Sequence, residues 1–235
     1  MNSALLDELA RLRAFSSHLL GGFLRLRERY AMLHPMLFSA SVIEGHGAGE
    51  RASGFAILKD TLFMTCCQDI ANLVADEHKT SVSIANVVKK LRLERVAVAL
   101  EDAAVAAVLS TDHDPDIQAF WSAKQQDRRL AFRADLAKLL ELADTLTGSS
   151  SLGALKTIRK KAASHLDLSL RNGEYAPLNF ESLGMKWKDL EAVIDTTQEV
   201  VVLIGNVVRD ASFAWESFEK RMSRTTMGFW STNVA

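Results

Sequence analysis

Leu155-Lys156-Thr157-Ile158-Arg159-Lys160-Lys161-Ala162-Ala163-Ser164-His165-Leu166-Asp167 is the stretch on which the fold reading turns. Leu155, Ile158, Ala162 and Leu166 recur at three- and four-residue intervals, the pattern of one buried stripe on an amphipathic helix. Arg159 and His165 fall on opposite borders of that stripe, roughly 120° apart around a helix and about 9 Å apart along it. Lys160, Ser164 and Asp167 point further towards solvent. A side chain at such a border is both held by packing and reachable. Within one straight helix, however, the pair does not converge on a small group. A bend after Ser164 or a second copy of the helix would close the gap. On residue type alone, arginines and lysines at a helix border extend over apolar surface with their heads in water. A lone histidine on a helix is more often structural than catalytic.

Outward from that stretch, the chain reads as a series of helices. Residues 4–33 form a long amphipathic helix on Leu5, Leu9, Leu12, Leu19, Phe23, Leu26 and Tyr30, which Gly21-Gly22 can bend and Pro35 should end. The glycine-rich Glu44-Gly45-His46-Gly47-Ala48-Gly49-Glu50 is expected to be a connector. No strand precedes it, and it lacks the Lys-Ser/Thr ending of a phosphate loop. A second helix should span 54–75. Thr80-Ser81-Val82-Ser83 then caps a third, running from Ile84 to Leu91. Over 94–109 the alanines and Glu101-Asp102 outweigh the valines, and the segment reads as helix. A charged helix follows over 116–146 with Pro115 at its first position, and its Arg128, Arg129 and Arg133 read as a solvated face. Thr147 to Ser151 breaks it and the motif helix begins, to be closed by Asn172-Gly173 and Pro177. After an irregular passage, a final helix carries Trp187, Leu190, Val193, Ile194, Val200, Val201, Leu203 and Ile204 from about residue 186 to 218. Its apolar character nearly all round suits a central helix or one that packs against a partner. The fold expected is an all-α, up-and-down bundle of five to seven helices, in one domain over 1–235 with the N-terminal helix and loop at 1–50 and the motif-bearing core at 150–215.

Composition narrows the class. With 48% hydrophobic and 24% charged residues and only three prolines, the chain has the make-up of a folded globular protein. A formal net charge of −1 gives no overall attraction for nucleic acid, so any affinity for phosphate must be local. Cys66 and Cys67 are adjacent, which suits neither a structural disulfide nor a zinc site and points to buried reduced thiols in a cytoplasmic protein. Met1 to Glu8 is too acidic and too weakly apolar for a signal peptide, and no apolar run of membrane-spanning length is present. Thr111-Asp112-His113-Asp114-Pro115-Asp116 offers metal-ligand residue types, but a turn capping the following helix explains the same residues, and their alternation scatters the ligands. No metal and no cofactor is expected.

The segment Leu155 to Asp167 resembles the HEPN signature, an arginine followed four to six residues later by a histidine. It is most similar to the AbiU-type (abortive infection) branch, whose segment reads roughly Arg-Asn-Lys-x-x-Ala-His-x-Asp. Trp187-Lys188-Asp189-Leu190-Glu191 and Ser81-Val82-Ser83-Ile84 resemble that branch as well. Two positions depart from the pattern: Lys160 stands where asparagine or aspartate is usual, and Ser164 where alanine is. The resemblance implies a helical bundle that dimerises through the motif helices and cuts RNA without metal in phage defence or toxin–antitoxin systems, with an antitoxin as a possible partner. It assigns His165 as general acid/base and Arg159 as the group that holds the phosphate and stabilises the transition state. An imidazole titrates near neutrality and so serves in both directions, whereas a guanidinium stays charged. Lys156, Lys160 and Lys161 would bind the RNA backbone, and the product would carry a 2′,3′-cyclic phosphate. Two alternatives stand beside this reading. One is a catalytically silent HEPN-like scaffold or partner-binding module. The other is a metal hydrolase built on Asp112, His113 and Asp114.

Overall fold

A computed structural model describes residues 3–106, 115–162, 168–171, 174–177 and 186–231. The described residues are all-α in class: nine α-helices, one 3-10 turn over Gly49–Arg51, and one short antiparallel hairpin. In order they are α1 (Ser3–Phe38), α2 (Ala40–His46), α3 (Ala52–Ala75), α4 (Ile84–Leu91), α5 (Glu94–Ala106), α6 (Pro115–Gly148), α7 (Ser150–Ala162), β1 (Leu168–Arg171), β2 (Glu174–Pro177), α8 (Trp187–Arg209) and α9 (Trp215–Trp230). Among these residues no helix is long and apolar enough to cross a membrane.

The nine exceed the five to seven expected for identifiable reasons. Pro35 lies inside α1, which continues to Phe38. Proline forfeits its own N–H bond and crowds the carbonyl one turn back, but its carbonyl still accepts from Ser39 N–H at 3.0 Å. The chain then restarts as α2, whose last residues take up the first part of the glycine-rich segment. The expected final helix is two. Asp210 adopts φ +52°, the left-handed conformation that ends helices, and its N–H bonds Asn206 C=O at 3.1 Å. The reversing chain brings Ala211 O to 2.9 Å from where a Cβ on Gly205 would stand, so only glycine fits there without displacement. The hairpin is the third departure. Leu168 pairs with Pro177, Ser169 with Ala176, Leu170 with Tyr175 and Arg171 with Glu174, where the motif helix was expected to continue.

The chain divides into two compact units. The first comprises Met1–Leu20, Val74–Thr147 and Thr196–Ser212, and the second Gly21–Leu73, Gly148–Asp195 and Phe213–Ala235. α1 contributes a buried series to each: Leu9, Leu12, Ser16 and Leu19 in the first, and Phe23, Leu26, Tyr30 and Leu33 in the second, at steps of three and four within each part. In the first unit α4 packs on α5. Ser83 caps α4, its Oγ accepting from Asn86 N–H at 3.2 Å. The basic face expected of α6 is not simply solvated. Arg133 grips Glu101 on α5 through Nη2 to Oε1 at 2.8 Å and Nε to Oε2 at 3.1 Å, and Arg128 pairs with Asp210. In the second unit Met36, Val42 and Trp230 form a buried cluster against Met32, Phe55 and Leu62. Cys66 and Cys67 are free and fully buried on α3.

Candidate functional site

The motif helix belongs to the second unit. Ser149 sets its start, the Oγ accepting from Leu152 N–H at 3.2 Å and the carbonyl from Gly153 N–H at 3.2 Å. Leu152, Leu155 and Ile158 are buried to 2% exposure or less, which fixes the inward face of α7. Arg159 follows Ile158 directly and is half-buried at the edge of that face, while Lys156, one turn earlier, is exposed. A guanidinium held by its stem at a packing edge keeps its forked head available for an oxyanion. Lys160 and Lys161 follow on the same helix. His165, Ser164 and Asp167 lie outside the described residues, as do Asp112, His113 and Asp114. Among the described residues, no three histidine, cysteine or carboxylate side chains are grouped to hold a metal ion.

Downstream, the opening of α8 is built by the residues of the Trp187–Glu191 segment. Asp189 accepts from the Lys186 backbone N–H at 2.7 Å, the reaching-back half of a capping box. Trp187 meets Phe63 of α3 edge to face at 4.8 Å, and Lys59 Nζ stands 5.8 Å from the Trp187 ring centre. These contacts tie the start of α8 to α3 within the second unit.

A second feature of that unit escaped the reading of the sequence. Arg27, Tyr30 and His34 of α1, Glu191 and Asp195 of α8, and Glu219 of α9 converge on one groove. Glu191 and Asp195 are four residues apart and share a helix face, a legible spacing. Nothing in the sequence signals that Glu219 joins them.

The AbiU2 family model, a HEPN model, matches residues 9–228, a span that includes Arg159, His165 and the opening of α8. Comparison with curated proteins and with solved structures finds no match. On the extent of the family match, the chain belongs to the AbiU2 family of HEPN domains.

Proposed function

We propose that the chain is a metal-independent endoribonuclease of prokaryotic defence or toxin–antitoxin systems, assembled as a homodimer through the helix that carries Arg159 and His165. The observation that carries this reading is the half-buried station of Arg159 at the edge of α7, within a span matched by the family. His165 takes the proton from a ribose 2′-hydroxyl, and the freed oxygen attacks the adjacent phosphorus. The P–O5′ bond breaks, leaving a 2′,3′-cyclic phosphate on one fragment and a 5′-hydroxyl, protonated in turn, on the other. Arg159 holds the phosphate oxygens, on which negative charge grows during the attack. Lys156, Lys160 and Lys161 add backbone affinity that weakens as salt rises.

A silent, partner-binding HEPN-like module is the second reading. It is favoured by Lys160, which replaces the small polar residue that the family pattern places beside the arginine. Incubation of labelled RNA with the full chain in the presence of a chelator separates the two. The nuclease reading expects cleavage that falls by about 100-fold or more in both His165→Ala and Arg159→Ala. Equal inactivity of all three proteins supports the module.

A further inference from the structure

Arg209 closes α8 in the first unit and shares no residue with α7, so its role is independent of the nuclease reading. Half-buried arginines elsewhere are neutralised: Arg27, Arg29, Arg128 and Arg129 meet Asp195, Asp69, Asp210 and Glu101 in turn. Arg209 is half-buried as they are, yet it meets no carboxylate among the described residues. The acid next to it in the chain, Asp210, is taken by Arg128. A charge drawn partly out of water without a counter-charge is costly, and the negative end of α8 offsets only part of that cost.

What holds Arg209 is neutral. Its Nε–H donates to Ser16 Oγ at 3.1 Å and its Nη1 to Ser17 Oγ at 3.4 Å, both on the part of α1 that belongs to the same unit. Its Nη2 stands 3.6 Å from where a Cβ on Gly205 would be. Ser16 is 2% exposed and occupies a step of the buried series otherwise filled by Leu9, Leu12 and Leu19. A core position is thus given to a hydroxyl that aims the guanidinium and leaves its charge intact. The Nε edge is buried against Ser16, whereas the Nη1 edge reaches Ser17, which is exposed. Arg13, one turn before Ser17 on the same face of α1, is exposed and meets no carboxylate among the described residues either.

We infer that Arg209, with Arg13 and the Ser17 hydroxyl beside it, binds a phosphate group. The outer N–H groups on Nη1 and Nη2 match two oxygens of one phosphate, the bidentate geometry to which a guanidinium is suited. The Ser17 hydroxyl donates to the Arg13 carbonyl at 3.2 Å, and from its exposed position it can turn to a third oxygen. A ligand that brings negative charge removes the cost of holding the cation unpaired.

Calorimetric titration of the full chain with inorganic pyrophosphate, against chloride at matched ionic strength, tests this. Saturable binding is expected at a Kd of about 1 mM or tighter. Arg209→Gln should weaken it by about ten-fold or more. The Arg13→Gln/Ser17→Ala double variant, changed only at exposed positions, should weaken it about three-fold, so the test stands even if Arg209→Gln fails to fold. No saturable binding overturns the inference. So does an affinity unchanged in folded Arg209→Gln, or unchanged in the double variant. Binding lost in Arg159→Ala and kept in Arg209→Gln assigns the phosphate to the motif helix; it overturns this inference and leaves the nuclease reading standing. Adenosine monophosphate and a short single-stranded RNA without terminal phosphates, each compared with Arg209→Gln, distinguish the source of the phosphate. Tighter binding of the monophosphate assigns the site to a small phosphate ester, and tighter binding of the RNA assigns it to a nucleic-acid backbone; either outcome supports the site.

Discussion

The Asp189 carboxylate accepts the backbone N–H of Lys186 at 2.7 Å, locking the first turn of α8 beside the Phe63–Trp187 contact. Removing that acceptor leaves a helix-terminal donor to water and takes a negative charge from the positive end of the helix. Asp189→Ala should lower the unfolding free energy by about 0.5–1.5 kcal/mol, with Asp189→Asn losing less because it keeps an acceptor. Equilibrium denaturation in urea reads both differences.

Asn86 ties the turn before α4 together. Its Nδ2 donates to the carbonyls of His78 at 2.8 Å, Ser81 at 2.9 Å and Asp76 at 3.3 Å, while Ser83, fully buried, caps the helix. Ser83→Ala should cost about 1–2 kcal/mol. Asn86→Asp should be worse than Asn86→Ala, because it turns an acceptor towards three carbonyls, and should exceed about 2 kcal/mol. Thermal melts that rank Asn86→Asp as the milder change would contradict this arrangement.

A pH dependence follows from Glu8. Lys90 Nζ bonds its Oε1 at 2.6 Å and Arg95 Nη2 its Oε2 at 2.8 Å. The Lys90 hydrogen bond lowers the Glu8 pKa below the ordinary value of 4.5; burial opposes the shift, and the charges of Lys90 and Arg95 reinforce it. A depressed folded-state pKa means that the stabilisation is complete above the unfolded-state value and disappears as pH falls through the folded one. Glu8→Gln should therefore be less stable than the parent at neutral pH, with the gap closing in acid below about pH 4. Stability curves of the two proteins from pH 3 to 8, on the order of one-unit steps, check the sign.

Burial sets the reactivity of the two thiols. It pushes the Cys66 pKa up to about 12, and burial raises that of Cys67 as well. At pH 8 the Cys66 thiolate is then populated on the order of one part in ten thousand. Neither thiol should be alkylated in the native protein within the time that labels both in denaturant, as mass spectrometry can follow.

Local signals were legible where a side chain bonds its own backbone neighbourhood. Ser83 caps α4 where the sequence places the cap, and α6 begins at Pro115. Leu155 and Ile158 face inward, as their spacing requires. Signals that admit two readings were less informative. An Asn-Gly pair in a sequence reads equally as a helix stop or as a two-residue hairpin turn, and the strands β1 and β2 stand where the motif helix was expected to continue. The stop at Asp210 carries no glycine at the residue with positive φ, only the close approach at Gly205. Long-range pairing was invisible: nothing near Arg128, Arg129 or Arg133 announces that Asp210 and Glu101 meet them. At the motif, the half-buried edge position of Arg159 follows from the stripe beside it. Its relation to His165 lies outside the described residues, and the helical period alone leaves the two on opposite borders of the stripe.

Subunit mixing tests the central claim most directly. If Arg159 of one subunit works with His165 of the other, Arg159→Ala and His165→Ala proteins are each inactive as homodimers. Unfolded together and refolded as a mixture, half of the dimers pair one variant with the other, and each of these holds one intact site of two. RNA cleavage in chelator should then recover to about a quarter of the parent rate. No recovery, with heterodimers verified by mass, would contradict a site shared between two copies of the motif helix.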